Sequence, residues 1–168
     1  MNYFCGFGLM KRSLLLLVLG VVQCDSLPDG IPDHEVAAQW ADMTLHITKD
    51  TPANSPTFAS RCLGYIGLTQ YEAVVHGFPE YQSLVGQLSG LEELPLPEAN
   101  ARYSWPMVLN RAESEILASI YIQTSNQNKK KIDSLEKRIY AILKKSTDQA
   151  TAERSNAFGT ALARAIFE

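Results

Sequence analysis

The sequence predicts an all-α fold, a helical bundle of about five helices running through residues 33–168. Three observations predict it. Apolar residues recur at three- and four-residue steps in five separate stretches. Segments rich in Pro, Ser, Thr, Asn or Gly stand between the stretches. No run of useful length alternates with the period of two that a half-buried strand needs. At 168 residues the chain is one domain's worth and can bury a moderate core.

The first helix is expected from an Asp33 cap through Trp40 to about Ile47, with Val36, Trp40, Met43 and Ile47 on one face. Thr51-Pro-Ala-Asn breaks it. The second helix has the clearest punctuation. Ser55 is placed to cap it, and Pro56 suits the first helical position, where its missing N–H costs nothing. Gly77 is expected to stop it in a left-handed conformation. Phe58, Cys62, Tyr65, Ile66, Thr69 and Ala73 form its stripe, and Ala59, Gly64 and Gly67 are small enough to admit close neighbours. Residues 78–103 are irregular, with three prolines and a short helix expected around Tyr81–Leu88. So long a connection inside a compact domain is often functional. Ser104 is expected to cap the third helix, with Pro106 in its first turn and Leu109, Ala112, Ile116 and Ile120 as its stripe. The fourth carries Ile132, Leu135, Ile139, Ile142 and Leu143. The fifth carries Phe158, Ala161, Leu162, Ala165 and Ile166. The arrangement expected is antiparallel.

Two segments carry a family resemblance. Pro56-x-x-Ala-Ser-Arg61, a small and apolar stretch, then Tyr71-Glu-Ala-Val74 resembles the first core helix of the vanadium-dependent haloperoxidases and the related type 2 phosphatidic acid phosphatases. Gly159-x-x-x-Ala-x-Ala-Ile166 is similar to the helix that closes the non-catalytic N-terminal half of that family. The resemblance runs from Trp40 to residue 168 and implies the leading half of a haloperoxidase-like helical fold. It implies peroxide-dependent halide oxidation or phosphomonoester hydrolysis for a full-length relative, with vanadate or phosphate held in the other half. The Arg-Pro and Pro-Ser-Gly-His motifs that hold the anion are absent from these 168 residues. No catalytic, cofactor-binding or metal-binding residue is therefore assigned. Vanadate is expected only in a full-length relative, and this chain is expected to be inactive alone. It reads as a truncated or fragmentary scaffold whose partner is the missing C-terminal half or a second copy. The rival reading is a freestanding helical binding or structural lipoprotein.

Residues 1–23 read as a signal segment. Lys11-Arg12 precede the apolar run Ser13–Val22, which is too short to span a bilayer comfortably. Val-Val-Gln-Cys24 is similar to a bacterial lipoprotein signal, although Gln23 stands where a small residue is preferred. Cys24 is then the lipid-attachment residue, Met10 the expected true start, and 24–32 a tether. Export with lipid anchoring to a bacterial membrane is expected. A periplasmic or extracellular product of ordinary secretion and an uncleaved anchor are the alternatives. Without residues 1–23, 13 basic residues face 18 acidic ones, a net of −5, which argues against a nucleic-acid partner. Three cysteines are too few for a disulfide framework, and Cys62 reads as a small buried hydrophobe.

Three constellations remain. Asp42 with His46 and Glu72 with His76, each four apart, compose a possible helical metal set, although the usual bundle spacing is Glu-x-x-His. The bland reading is a local carboxylate–imidazole bond in each helix. Arg61, alone in an apolar helix, is expected to pair with Glu72, Glu35 or another carboxylate, or to lay its stem on apolar surface. The resemblance implies that Arg61, Tyr71 and Glu72 serve packing between the two halves. Lys129-Lys-Lys131, with Lys137, Arg138, Lys144 and Lys145, suggests a membrane or polyanion contact, but Asp133 and Glu136 are interleaved and favour a solvated face.

Overall fold

A computed structural model describes residues 30–52 and 54–168. The signal segment and Cys24 lie outside the described residues. Five helices make up the described fold: α1 (Asp33–Asp50), α2 (Pro56–Val75), α3 (Trp105–Ile120), α4 (Asn126–Lys144) and α5 (Gln149–Phe167). There is no strand among the described residues, and none of these helices is long and apolar enough to cross a membrane.

The caps set the helix starts. Ser55 Oγ accepts from Phe58 N, Ser125 Oγ from Asn128 N and Asp148 from Thr151 N, so three starts satisfy a backbone donor that the helix itself leaves unpaired. Two expected caps fall out differently. Asp33 is the first residue of α1, behind Pro32. Ser104 flanks α3 without a side-chain capping bond, and its N–H is taken by Ser155 Oγ at 2.9 Å. No helix forms over Tyr81–Leu88. Left-handed glycines at 86 and 90 fold that stretch into turns, with Gly86 N bonded to Leu91 O.

α3 is the axis of the bundle and touches all four other helices. Met107, Val108, Ala112, Ile116 and Leu117 are fully buried around it, so it is covered well beyond one stripe, with Arg111, Glu115 and Ala118 left on its open side. α1 and α5 run parallel to α3, since Trp40 bonds Asn110 and Thr48 meets Tyr121, while Arg111 bonds Thr160 and Arg164 bonds Glu115. α4 runs the other way along α1, from Asn128–Asp50 to Arg138–Gln39. α2 runs against α3, since His76 at its end lies beside Trp105 and Cys62 near its start lies beside Tyr121, so successive helices alternate in direction, as expected.

Close packing falls on a glycine other than those anticipated. A Cβ on Gly159 of α5 would lie 2.6 Å from Val108 O and 3.2 Å from Ala112 N, so only glycine lets α5 rest on the α3 backbone. Gly64 and Gly67 face open space. Gly77 is not left-handed. Its lack of a side chain makes room for the Trp105 indole.

Candidate functional surface

α2 divides its residues between two environments. Cys62, Ile66, Thr69, Glu72, Ala73 and Val75 are buried. Burial raises the Cys62 thiol pKa, so it is a packed apolar group rather than a reactive one. Phe58 and Tyr65, placed in the stripe by spacing, are about two-fifths exposed instead, as is Leu63. The reason is not register. Phe58 and Tyr65 lie within the arc that Thr69 and Glu72 bury further along, so the period is right and what differs is the covering available at each end of α2.

Glu72 is 1 % exposed and accepts a 2.7 Å bond from Leu84 N, while Tyr71 donates its hydroxyl to Gln82 O at 2.7 Å. The two neighbours thus hold the irregular connection down on α2. Their partner is a loop of this chain, not the other half implied by the resemblance. A buried carboxylate paired this way replaces its lost hydration with a charge-assisted bond.

Beside that loop a trough of about 570 Å³ opens between α2, the Leu88–Leu91 turn and the end of α5, lined by Arg61, Gly64, Tyr65 and Leu68 from α2. Arg61 is exposed on its wall and forms no ion pair among the described residues, contrary to the expected pairing. Arg61, Gly64, Tyr65 and Leu68 recur at three- and four-residue steps, so this is a second helical face, notched by Gly64 and only partly walled by the Leu88–Leu91 turn and the end of α5. Phe167, half exposed, borders it. The rest of the apolar α5 stripe behaves differently: Phe158, Leu162 and Ile166 are buried, whereas Ala161 is exposed.

The four metal candidates are not brought together. His46 Nε2 meets Lys131 Nζ at 2.7 Å on an exposed face. Glu72 is committed to Leu84, and His76 sits among aromatic rings, 6.3 Å from both Trp105 and Phe158. No group of three or more His, Cys, Asp or Glu residues converges among the described residues. Nor do the cations form an oxyanion cradle. The lysine–histidine contact is open to solvent, and nearby Arg138 is turned to Gln39. A bound vanadate needs several such groups aimed at one shielded point, so the described residues do not fit it.

No family model and no curated protein matches the chain. Among solved structures it is similar to one described as the first bacterial vanadium-dependent iodoperoxidase. The TM-score is 0.64 and the identity 25%, over 79% of this chain and 30% of that one. The fold is haloperoxidase-like. The haloperoxidase-like part seen here spans less than a third of that structure, so nothing of its vanadium chemistry transfers with the helices.

Sequence reasoning missed one residue of consequence. Glu113, at the centre of α3, is 1 % exposed, its Oε1 has no hydrogen-bond partner, and burial pushes its pKa up to about 8. Its signal was present: a carboxylate one residue after Ala112 and three before Ile116, at the edge of the apolar stripe.

Proposed function

We propose that this chain is the non-catalytic scaffold half of a haloperoxidase- or phosphatase-like protein, exported and anchored through an acylated Cys24. The observation that carries the reading is the open α2 face. In a fold matched over 79% of this chain but 30% of its iodoperoxidase neighbour, one core helix turns Arg61, Gly64 and Tyr65 into an open trough, with Leu68 half-buried at its side. An open glycine notch beside half-exposed rings suits a covering helix, because backbone can approach backbone there. The occupant is the C-terminal half, which would bring its own anion-binding residues. A second copy of the chain is the other candidate for the same face.

The test has two arms. The purified chain alone is assayed for vanadate-dependent halide oxidation and for phosphomonoester hydrolysis; neither is expected, and either would sink the scaffold reading. The chain is then co-expressed with the segment encoded downstream, and the pair is expected to co-purify and unfold in one transition. Gly64→Trp, which fills the notch, should abolish the pairing while leaving the free chain folded.

A second reading is favoured by α5. Phe158, Leu162 and Ile166 are covered within the chain itself, as a freestanding binding or structural lipoprotein requires. A monodisperse monomer with a sharp, high thermal transition and no binding of a hydrophobic dye would favour that alternative.

A further inference from the structure

The α1–α4 side of the molecule answers the objection that the sequence raised to a basic patch. Lys130 and Lys137 are seven residues apart, and Lys131, Arg138 and Lys145 repeat at the same interval. Seven residues are about two helical turns, so Lys130 and Lys137 form one row and Lys131, Arg138 and the C-cap Lys145 a second, about 100° further round, on the solvent side of α4. From Lys131 to Lys145 the row is about 21 Å long. Asp133 and Glu136 lie with Lys129 and Tyr140 on the neighbouring face, three and four residues apart. Glu136 is partly buried there, and Asp133 reaches the row only through its 2.7 Å pair with Lys137.

The remaining four cations have no carboxylate partner among the described residues. Lys131 Nζ meets His46 Nε2 at 2.7 Å and Arg138 donates to Gln39 at 2.8 Å, so both heads are held over the crevice between α1 and α4. That crevice is a shallow trough of about 440 Å³ with Met43 and Leu135 in its floor and Gln127, Lys130 and Ser134 on its wall. On the α1 side Asp42 lines the adjoining trough, Glu35 accepts from Gln39, and Asp50 is taken by Asn128. In a chain whose segment after residue 23 is net −5, this segregation sets a positive strip on an acidic body.

We infer that this face docks on an anionic bilayer surface. The strip is long, shallow and solvent-open. Its charges do not converge on a point, as a site for one small anion would require, but spread over a length that meets several lipid headgroups. Juxtamembrane lysines and arginines gain from the negative surface potential of such a leaflet additively and lose the gain in salt. The inference stands on the geometry of α4 and goes beyond the scaffold reading. An acylated Cys24 would bring face and membrane together but is not needed for the contact.

The experiment uses the full chain with Cys24→Ser, so that no acyl group is attached. It is co-sedimented with vesicles of phosphatidylcholine alone and of phosphatidylcholine with phosphatidylglycerol. Lys11→Gln and Arg12→Gln are also introduced, because those two cations of the leader would themselves favour the anionic vesicles; the apolar run then contributes to both lipids alike and the difference isolates the charge of the folded domain. Binding to the anionic vesicles is expected to be stronger by about tenfold or more at low salt, with the preference lost at high salt. Lys130→Gln, Lys131→Gln, Arg138→Gln and Lys145→Gln together should remove it. Lys49→Gln, Arg61→Gln, Arg102→Gln and Lys129→Gln, four exposed cations off the strip, should leave most of it, with helix content checked in both variants. Equal binding of the unsubstituted chain to both lipids would overturn the inference. So would a preference that survives the strip variant, or equal loss in the control.

Discussion

Glu113 makes the stability of this fold depend on pH, and the sign follows from where its proton sits. Its carboxyl lies on α3 between two buried or half-buried cross-links to α1, Trp40–Asn110 and Thr48–Tyr121, and midway between the same links on α1 Thr44 Oγ1 also lacks a partner. Burial in this apolar layer raises the folded pKa from 4.5 to about 8. The unfolded chain releases the proton near 4.5, so between these values folding takes a proton up and stability falls as pH rises. The stabilisation is complete below pH 4.5 and lost by the time the pH has passed about 8. The gap of about 3.5 pH units, at 1.36 kcal/mol each, amounts to about 5 kcal/mol across the window, of which about 3 kcal/mol is already lost at pH 7. Glu113→Gln removes the titration without changing the shape. At pH 7 it should be more stable by about 3 kcal/mol, a rise of roughly 6–12 °C in Tm for a chain of this size. Urea denaturation followed by circular dichroism from pH 5 to 8 reads both the offset and the slope. The difference between the two proteins cancels the histidines, which titrate in both. An unchanged slope in Glu113→Gln, or a lower midpoint at pH 7, would refute the reasoning, because either means the carboxylate is solvated or paired in the folded chain.

Three further outcomes are expected. Asn110→Ala strands the Trp40 indole N–H and the Glu136 carbonyl, which the amide now joins at 2.9 and 3.0 Å, and should cost about 2–4 kcal/mol by urea titration. Gly159→Ala forces a methyl against the α3 backbone and should cost about 1–3 kcal/mol, while Gly67→Ala, with open space before it, should stabilise the free chain by about 0.5–1 kcal/mol in the same assay. Mass spectrometry of the mature N-terminus is expected to find an acylated Cys24; an unmodified cysteine or cleavage elsewhere removes the lipid anchor from the proposal.

What was legible in the sequence is what local chemistry dictates. Ser55 marks its helix start because a cap needs only the next three residues, and Ile132, Leu135, Ile139 and Leu143 of the α4 stripe are buried as its period requires, with Ile142 half-buried. The errors share one cause, which is that burial is decided by neighbours far along the chain. Phe58 and Tyr65 fit the α2 period and face solvent, whereas Glu72, a poor core residue by type, is buried because a loop twelve residues on supplies Leu84 N to its carboxylate. Nothing local distinguishes Gly159 from Gly64, since both sit mid-helix among small residues. Only the approach of α3 makes one indispensable and leaves the other idle. The same dependence bears on function. A glycine that serves no contact within its own chain costs a helix about 0.5–1 kcal/mol relative to alanine. Gly64, on the open face of α2, is therefore an expense that this bundle does not explain. Its retention beside Arg61 and Tyr65 makes sense if a second element closes on that face, which is why the notch rather than any single side chain carries the proposal.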